Sequence, residues 1–230
     1  MYPVLDSVTM PEGSSYKGAN KPADLGDLYE TIERYYTRRV TKHGATPLGA
    51  DWRCRATQEL RFVQLLKICD FSRPLSLNDV GCGYGALVAY LAERHAGTDV
   101  DYLGTDLSRA MISRAKRRWR GHGRRFVVSR AAPRVADYSV ASGIFNVKLE
   151  QPVDTWRSFV ADTLHAMHKT SRRGFAVNFM SPAAAANERS TMLYCTAPEP
   201  WVHYCEQQFR CSVDVIANYG LREFTLLIRF

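Results

Sequence analysis

The residues of this chain best suited to chemistry are concentrated in one short run, 79–85, where Asp79 is followed by Gly81, Cys82, Gly83, Tyr84 and Gly85. Glycine at alternate positions lets a backbone turn sharply and lets a ligand press against bare amides. Apolar residues from Leu75 lead into this run, and a helix-forming stretch from Ala86 to His95 leaves it. A glycine loop between a strand and a helix presents its N–H groups and the positive helix end to a bound molecule. A second landmark, Tyr102 to Asp106, reads as a strand ending in an acid 21 residues beyond Gly85. A carboxylate about 20 residues past such a loop is placed to grip the ribose of an adenosine ligand. The loop alone is a weak signal. Loop, helix, strand and terminal acid together are a specific one.

Two ligands satisfy that arrangement. Gly81, Gly83 and Ala86 meet the dinucleotide form G-x-G-x-x-G/A, which points to a nicotinamide cofactor. Asp79 opposes it, because its charge would be expected beside the diphosphate; a carboxylate there suits a ligand with an amino group and a sulfonium. In the patterns D-V-G-C-G-Y-G (79–85) and G-T-D-L-S (104–108), the chain resembles the class I S-adenosylmethionine-dependent methyltransferases from about residue 75 onward. The resemblance implies a Rossmann-like core and transfer of a methyl group to O or N of a small-molecule acceptor of specialised metabolism, with S-adenosylhomocysteine as product. It implies that Gly81, Cys82, Gly83 and Gly85 wrap the methionine portion, that Asp79 organises the loop or meets the amino group, that Asp106 takes the ribose hydroxyls and that Leu107 lies beside the adenine. The acid that often follows the third strand in this family has no counterpart in 129–136, so backbone groups around Arg130 and Ala131 are expected at the adenine. Asp137 is expected to be a turn residue.

The elements that must position these groups alternate. Strands are predicted at 75–80, 101–106, 125–129, 138–143 and 174–180, with helices at 84–96, 107–119 and 153–168 between them. Such alternation means a mostly parallel sheet covered on both faces. A helix near 199–209 and two strands joined at Asn218-Tyr219-Gly220 complete a seven-stranded α/β sheet, doubly wound with an antiparallel terminal strand as the resemblance implies. Upstream, residues 1–25 read as a flexible arm. Residues 26–72 read as a helical lid, and 73–230 as the core. Leu28, Ile32, Tyr35, Tyr36 and Val40 fall at helical spacing, as do Phe62, Leu65, Leu66 and Cys69 in a second helix over 56–69. Tyr35, Tyr36, His43, Trp52, Gln58 and Arg61 are expected to shape the pocket, with Trp52 and Arg61 toward the cofactor carboxylate.

After the fourth strand, Ser142 is expected to touch the cofactor, and Phe145 and Asn146 the cofactor or acceptor, because ligands bind beyond the carboxyl ends of strands in open α/β sheets. Asn146 reads equally as a cap for the following helix. The Asn/Asp-Pro-Pro-aromatic motif of base-amino methyltransferases is missing there, which argues against nucleobases as acceptors. Asn146, His203 and Tyr204 are the catalytic candidates, the last two as weak general bases. Tyr84 is expected over the methionine tail. His165 and His168 have metal-compatible spacing but no acidic or thiol companion, so solvent-facing roles and no metal site are expected.

Composition sets the outer limits. The 230 residues are 46% apolar and 23% charged, ordinary for a globular domain, and contain no apolar run of the length, about 18 residues, that a membrane span needs. No signal-peptide pattern opens the chain. Six cysteines lack zinc or CxxC spacing and read as reduced thiols of a cytoplasmic protein. The net charge of +8 owes much to Arg114–Arg125. That cluster could hold RNA or protein as a substrate, but it also suits the C-terminal end of a helix, where the dipole favours cations. The reading adopted is therefore a small-molecule enzyme, monomeric or homodimeric, without nucleic-acid or membrane partners. A macromolecule methyltransferase and a non-catalytic nucleoside-binding relative are the alternatives.

Overall fold

The computed structural model describes residues 25–183 and 190–230; the expected N-terminal arm lies, up to residue 24, outside the described residues. The element order is α1 (Gly26–His43), α2 (Arg55–Leu65), β1 (Leu75–Val80), α3 (Ala86–Arg94), β2 (Val100–Asp106), α4 (Arg109–Arg118), β3 (Arg125–Val128), β4 (Ala136–Ala141), α5 (Val153–Lys169), β5 (Ser171–Met180), α6 (Glu199–Phe209), β6 (Ser212–Ile216) and β7 (Glu223–Arg229). The strands form one seven-stranded sheet in the order β3-β2-β1-β4-β5-β7-β6. β1 through β5 pair in parallel, and β7 runs antiparallel between β5 and β6. This is the Rossmann-like methyltransferase arrangement expected from the sequence.

The sheet carries its apolar residues on both faces, and two cores follow. One joins Leu28 and Ile32 of α1, Trp156, Val160 and Leu164 of α5, Phe209 of α6, and Phe179, Phe224 and Leu226 of the sheet. The other joins Phe62 and Leu65 of α2, Leu87 and Leu91 of α3, Ile112 of α4, and Leu77, Tyr102 and Phe126 of the strands. Trp156 is fully buried, and its indole N–H donates to the Phe145 carbonyl at 3.0 Å, which fixes the start of α5 under the loop leaving β4. Removing such a side chain costs about 3–5 kcal/mol.

Boundaries moved for local reasons. α4 starts at Arg109 rather than 107 because Ser108 caps it, its hydroxyl accepting from the Met111 N–H at 3.2 Å. β4 ends at Ala141, two residues early, because the chain turns at Gly143 with φ of 72°. The second helix ends as a 3-10 turn over Leu66–Ile68. His165 and His168 do not face solvent alone: both rings pack on Phe209, and His165 Nε2 lies 3.0 Å from the Tyr204 hydroxyl. Among the described residues, no helix is long and apolar enough to cross a membrane, and no cluster of three or more His, Cys, Asp or Glu could hold a metal ion.

Candidate functional site

A cavity opens beyond the carboxyl ends of β1, β2 and β4, where Val80, Asp106 and Ser142 face it. Gly81, Gly83, Leu107, Met111, Gly143 and Ile144 complete its floor, and Ser129 and Arg130 close one end. Its cover comes from outside the alternating core: Tyr29, Ile32, Glu33 and Tyr36 of α1, and Ala50 and Trp52 of the segment after it. Phe159 and Thr163 of α5 form the remaining wall.

The glycine loop is laced rather than open. The N–H groups of Gly81 and Cys82 both donate to the Thr105 carbonyl, at 2.8 and 2.9 Å. The Gly83 N–H donates to Asp106 Oδ2 at 2.9 Å, and the Ser108 N–H to Asp106 Oδ1 at 2.8 Å. The amides expected to meet a ligand are thus consumed in tying the end of β1 to the end of β2. Gly81, Gly83 and Gly85 all have positive φ, which L side chains rarely adopt. At Gly83 a Cβ would meet nothing nearer than Met111 Sδ at 3.9 Å, so this glycine leaves space, whereas at Gly85 a Cβ would come within 2.8 Å of the Trp119 indole nitrogen. Gly104 of β2, which opens the G-T-D-L-S pattern, is needed for the same reason: a Cβ there would crowd Cys82 Sγ at 2.8 Å.

Asp106 sits where the spacing placed it, each carboxylate oxygen held by a backbone N–H and one edge turned to the cavity. Burial pushes its carboxyl up to about 6 against those two hydrogen bonds, and the Glu33 carboxylate adds to the rise. Glu33 accepts from the Thr37 hydroxyl at 2.8 Å, and Thr37 lies 2.7 Å from the Ser108 hydroxyl, so α1 is tied to the start of α4 beside Asp106. At the far end, the Arg130 guanidinium stands 5.6 Å from the Tyr29 ring centroid, and the Tyr29 hydroxyl donates to Asp162 at 2.9 Å.

Several expected contacts are corrected. Asp79 does not face the cavity; it is buried, accepts from the Tyr102 hydroxyl at 2.6 Å, and burial raises its carboxyl to about 7. Its charge therefore cannot exclude a diphosphate, and that sequence argument against a nicotinamide cofactor falls. Cys82 and Gly85 are not in the cavity lining, with Cys82 buried near Gly104 and the Gly85 carbonyl accepting from the Trp119 indole N–H at 2.9 Å. Tyr84 turns away from the cavity, donating to Gln58 at 3.0 Å. Arg61 points at Glu223 of β7 instead of toward a cofactor carboxylate, while Trp52 does line the cavity. His203 is exposed on α6 and Tyr204 is engaged with His165, so neither reaches the cavity wall. Asn146 is buried; its N–H donates to the Gly143 carbonyl, and neither atom of its side-chain amide has a partner. Phe145 stacks on Phe179 at 5.0 Å in the core. Asp137, expected in a turn, is the second residue of β4 and accepts from the N–H and hydroxyl of Ser76 toward the amino end of the sheet. Leu107 and Ser142 line the cavity, and the Ser142 hydroxyl is buried without a partner.

In the basic cluster, Arg125 pairs with Asp101 at 2.8 Å, Arg124 donates to the Val100 carbonyl, and Arg118 lies 5.6 Å from both the Tyr84 and Trp119 rings. Lys116, Arg117 and Arg118 close the last turn of α4.

The residues present fit an adenosyl ligand with an amino-acid tail. A glycine floor with open space at Gly83, a carboxylate edge at Asp106 and an unpartnered hydroxyl at Ser142 all meet in one cavity. Comparison with known proteins agrees. Residues 78–169 match the family model described as a methyltransferase domain. A Mycobacterium tuberculosis relative named as a methyltransferase, Rv1506c, is 39% identical over 165 residues, covering 71% of this chain and 98% of its own. In fold, the chain is similar to magnesium protoporphyrin IX methyltransferase from Synechocystis PCC 6803 solved with S-adenosylhomocysteine, at 13% identity, a TM-score of 0.60, and 87% and 98% coverage of the two chains. It is similar also to the DhpI–S-adenosylhomocysteine complex, at 15% identity, a TM-score of 0.59, and 88% and 96% coverage. With a relative this similar along nearly its whole length, and with the family model lying over the cavity floor, the chain belongs to the methyltransferase family.

Proposed function

We propose that the cavity binds S-adenosylmethionine and that the chain directs its methyl group to an O or N atom of a small molecule bound beneath the N-terminal helices. One observation carries this reading: the floor built from Gly81, Gly83 and Asp106 is roofed by aromatic residues of α1 and by Trp52, which leaves a covered space of small-molecule scale. When bound, the cofactor would supply an electrophilic methyl on a sulfonium, which an acceptor lone pair would take in line while the S–CH3 bond breaks and S-adenosylhomocysteine leaves. The chain's part is to hold and to exclude water. Asp106 accepts from the ribose hydroxyls, Leu107 flanks the adenine with Ser129 and Arg130 at its edge, and the Ser142 hydroxyl gains the partner it lacks. Tyr29, Ile32, Tyr36, Ile144 and Phe159 keep the acceptor space apolar. Asn146, the remaining catalytic candidate, follows Gly143 by three residues but is buried outside the cavity lining. Glu33 and Asp106 are the carboxylates that line the cavity, and assigning Asp106 to the ribose leaves positioning as the main source of rate.

Residues 26–72 act in this proposal as the lid and 73–230 as the core. Calorimetry tests it: S-adenosylhomocysteine is expected to bind at about micromolar affinity, roughly 8 kcal/mol, with no heat from NAD, and hydrogen exchange in α1 is expected to slow on saturation. Tight NAD binding, or exchange in α1 that ignores the ligand, refutes the respective half.

A further inference from the structure

Arg61 and Glu223 form a buried ion pair that methyl transfer does not call for. Arg61 is 7% exposed and Glu223 3%. Arg61 Nε donates to both carboxylate oxygens, at 2.8 and 3.1 Å, its Nη2 closes on Oε1, and its Nη1 donates to the Thr57 carbonyl at 2.6 Å. Desolvating two charges offsets most of their attraction, and well-packed apolar residues of similar volume often replace such a pair without loss of stability. Stability is therefore a poor reason for it. Its geometry offers a better one, because both ends reach the cavity wall. On the sheet side, Asn178 Nδ2 donates to Glu223 Oε2 at 2.6 Å, and Asn178 Oδ1 accepts the Gly143 N–H at 2.7 Å. On the lid side, the guanidinium carbon of Arg61 stands 4.0 Å from the Trp52 ring centroid. Trp52 and Gly143 both line the cavity, and they touch: a Cβ on Gly143 would overlap Cζ2 and Cη2 of the indole. The contacts close into a ring of indole, guanidinium, carboxylate, carboxamide and glycine amide.

We propose that Arg61 and Glu223 are positioning residues that hold the Trp52 indole against the Gly143 backbone, setting the cavity wall that cofactor and acceptor share. The ligand's identity in this proposal rests on the S-adenosylmethionine reading above; the mechanical link does not. An arginine suits the task because its planar fork can bind a carboxylate on one edge while its face stacks on an aromatic ring.

The test replaces both charges together, Arg61→Met with Glu223→Leu. The thermal midpoint is expected to hold or rise, the S-adenosylhomocysteine dissociation constant to increase about tenfold or more, and hydrogen exchange at Trp52 and Gly143 to quicken in the ligand-free protein. In a Trp52→Ala background, the same pair of changes is expected to weaken binding by less than about twofold further, since coupled residues are not additive. Unchanged affinity with unchanged exchange overturns the proposal, as does full additivity with Trp52→Ala. Should the double variant lose its fold, Arg61→Lys decides: it keeps a charge for Glu223 but loses the fork and the stacked face, and wild-type affinity and exchange in that variant overturn the proposal. A wild-type protein that binds no S-adenosylhomocysteine, while the variants still quicken exchange at Trp52 and Gly143, removes the ligand reading and leaves the positioning role standing.

Discussion

Replacing Asp106 by Ala tests the ribose contact proposed for this carboxylate in the cavity lining. Its two oxygens each accept a backbone N–H, from Gly83 and Ser108, and the residue lines the cavity. A hydrogen bond to a charged group contributes about 1.5–3 kcal/mol, and a ribose offers two hydroxyls. With about 1.4 kcal/mol per factor of ten, the loss of even one bond predicts at least a tenfold weaker S-adenosylhomocysteine, and the loss of both predicts roughly a hundredfold to ten-thousandfold. Asp106→Asn separates two roles, since it keeps an oxygen for one backbone N–H while removing the charge. Acidity gives a second handle. The carboxyl titrates at about 6, and the ribose hydroxyls favour its ionised form, so its pKa falls on binding. Affinity should therefore be level above about pH 7 and decline toward pH 5, by up to about tenfold per unit once the acid is protonated. Isothermal calorimetry across that range, with circular dichroism to confirm the fold, measures both effects. A dissociation constant unchanged in Asp106→Ala, or flat from pH 5 to 8 in the wild type, refutes the placement of the ribose.

Asp79 predicts a pH dependence of stability. Its carboxyl is raised from 3.8 to about 7 by burial, so the folded chain binds more protons than the unfolded one between those values, and stability should fall as pH rises through that window; urea midpoints at pH 4.5 and 7.5 should differ less in Asp79→Asn than in the wild type. Asn146→Leu should raise the thermal midpoint by several degrees, because an unsatisfied buried amide costs about 1–3 kcal/mol, and a lower midpoint would show that the amide has a partner. Replacing Arg117, Arg118 and Arg120 together by Gln should leave S-adenosylhomocysteine affinity within about twofold, since exposed charges outside the cavity are screened by salt, whereas salt-sensitive RNA retention lost in that variant would favour a macromolecular substrate.

What was legible in the sequence was local. The positions of Gly81 and Gly83 just after β1 and of Asp106 at the end of β2 could be placed because a strand, a turn and a helix fix their spacing, and the alternating apolar runs gave the order of the core elements. What escaped was long-range. Arg61 meets Glu223 across 162 residues of chain, Gln58 meets Tyr84, and Asn178 reaches Gly143 from the neighbouring strand. Nothing in the spacing of a single helix says which strand its polar side chain will meet. Glu33 and Thr163 were missed for a related reason: each lies on a helix away from the glycine loop in sequence, and only the packing of α1 and α5 over the sheet brought them to the cavity. Asp79 failed differently, since its type and position suited a ligand but Tyr102, on the adjacent strand, was the nearer donor.

The lacing of Gly81, Cys82 and Gly83 to the end of β2 has a consequence for how such a protein can change over time. A floor whose amides are already spoken for offers few substitutions that alter ligand shape without loosening two strands at once. The cover is under no such restriction, being α1 and the turn after it, which contribute no strand to the sheet. The stretch matching the family model, 78–169, contains the floor and α5 but neither α1 nor α2. If the cover sets acceptor choice as proposed, heritable variation in that choice would accumulate between Tyr29 and Trp52, and grafting that segment between relatives is the natural route to exchanging one substrate for another on an unaltered base.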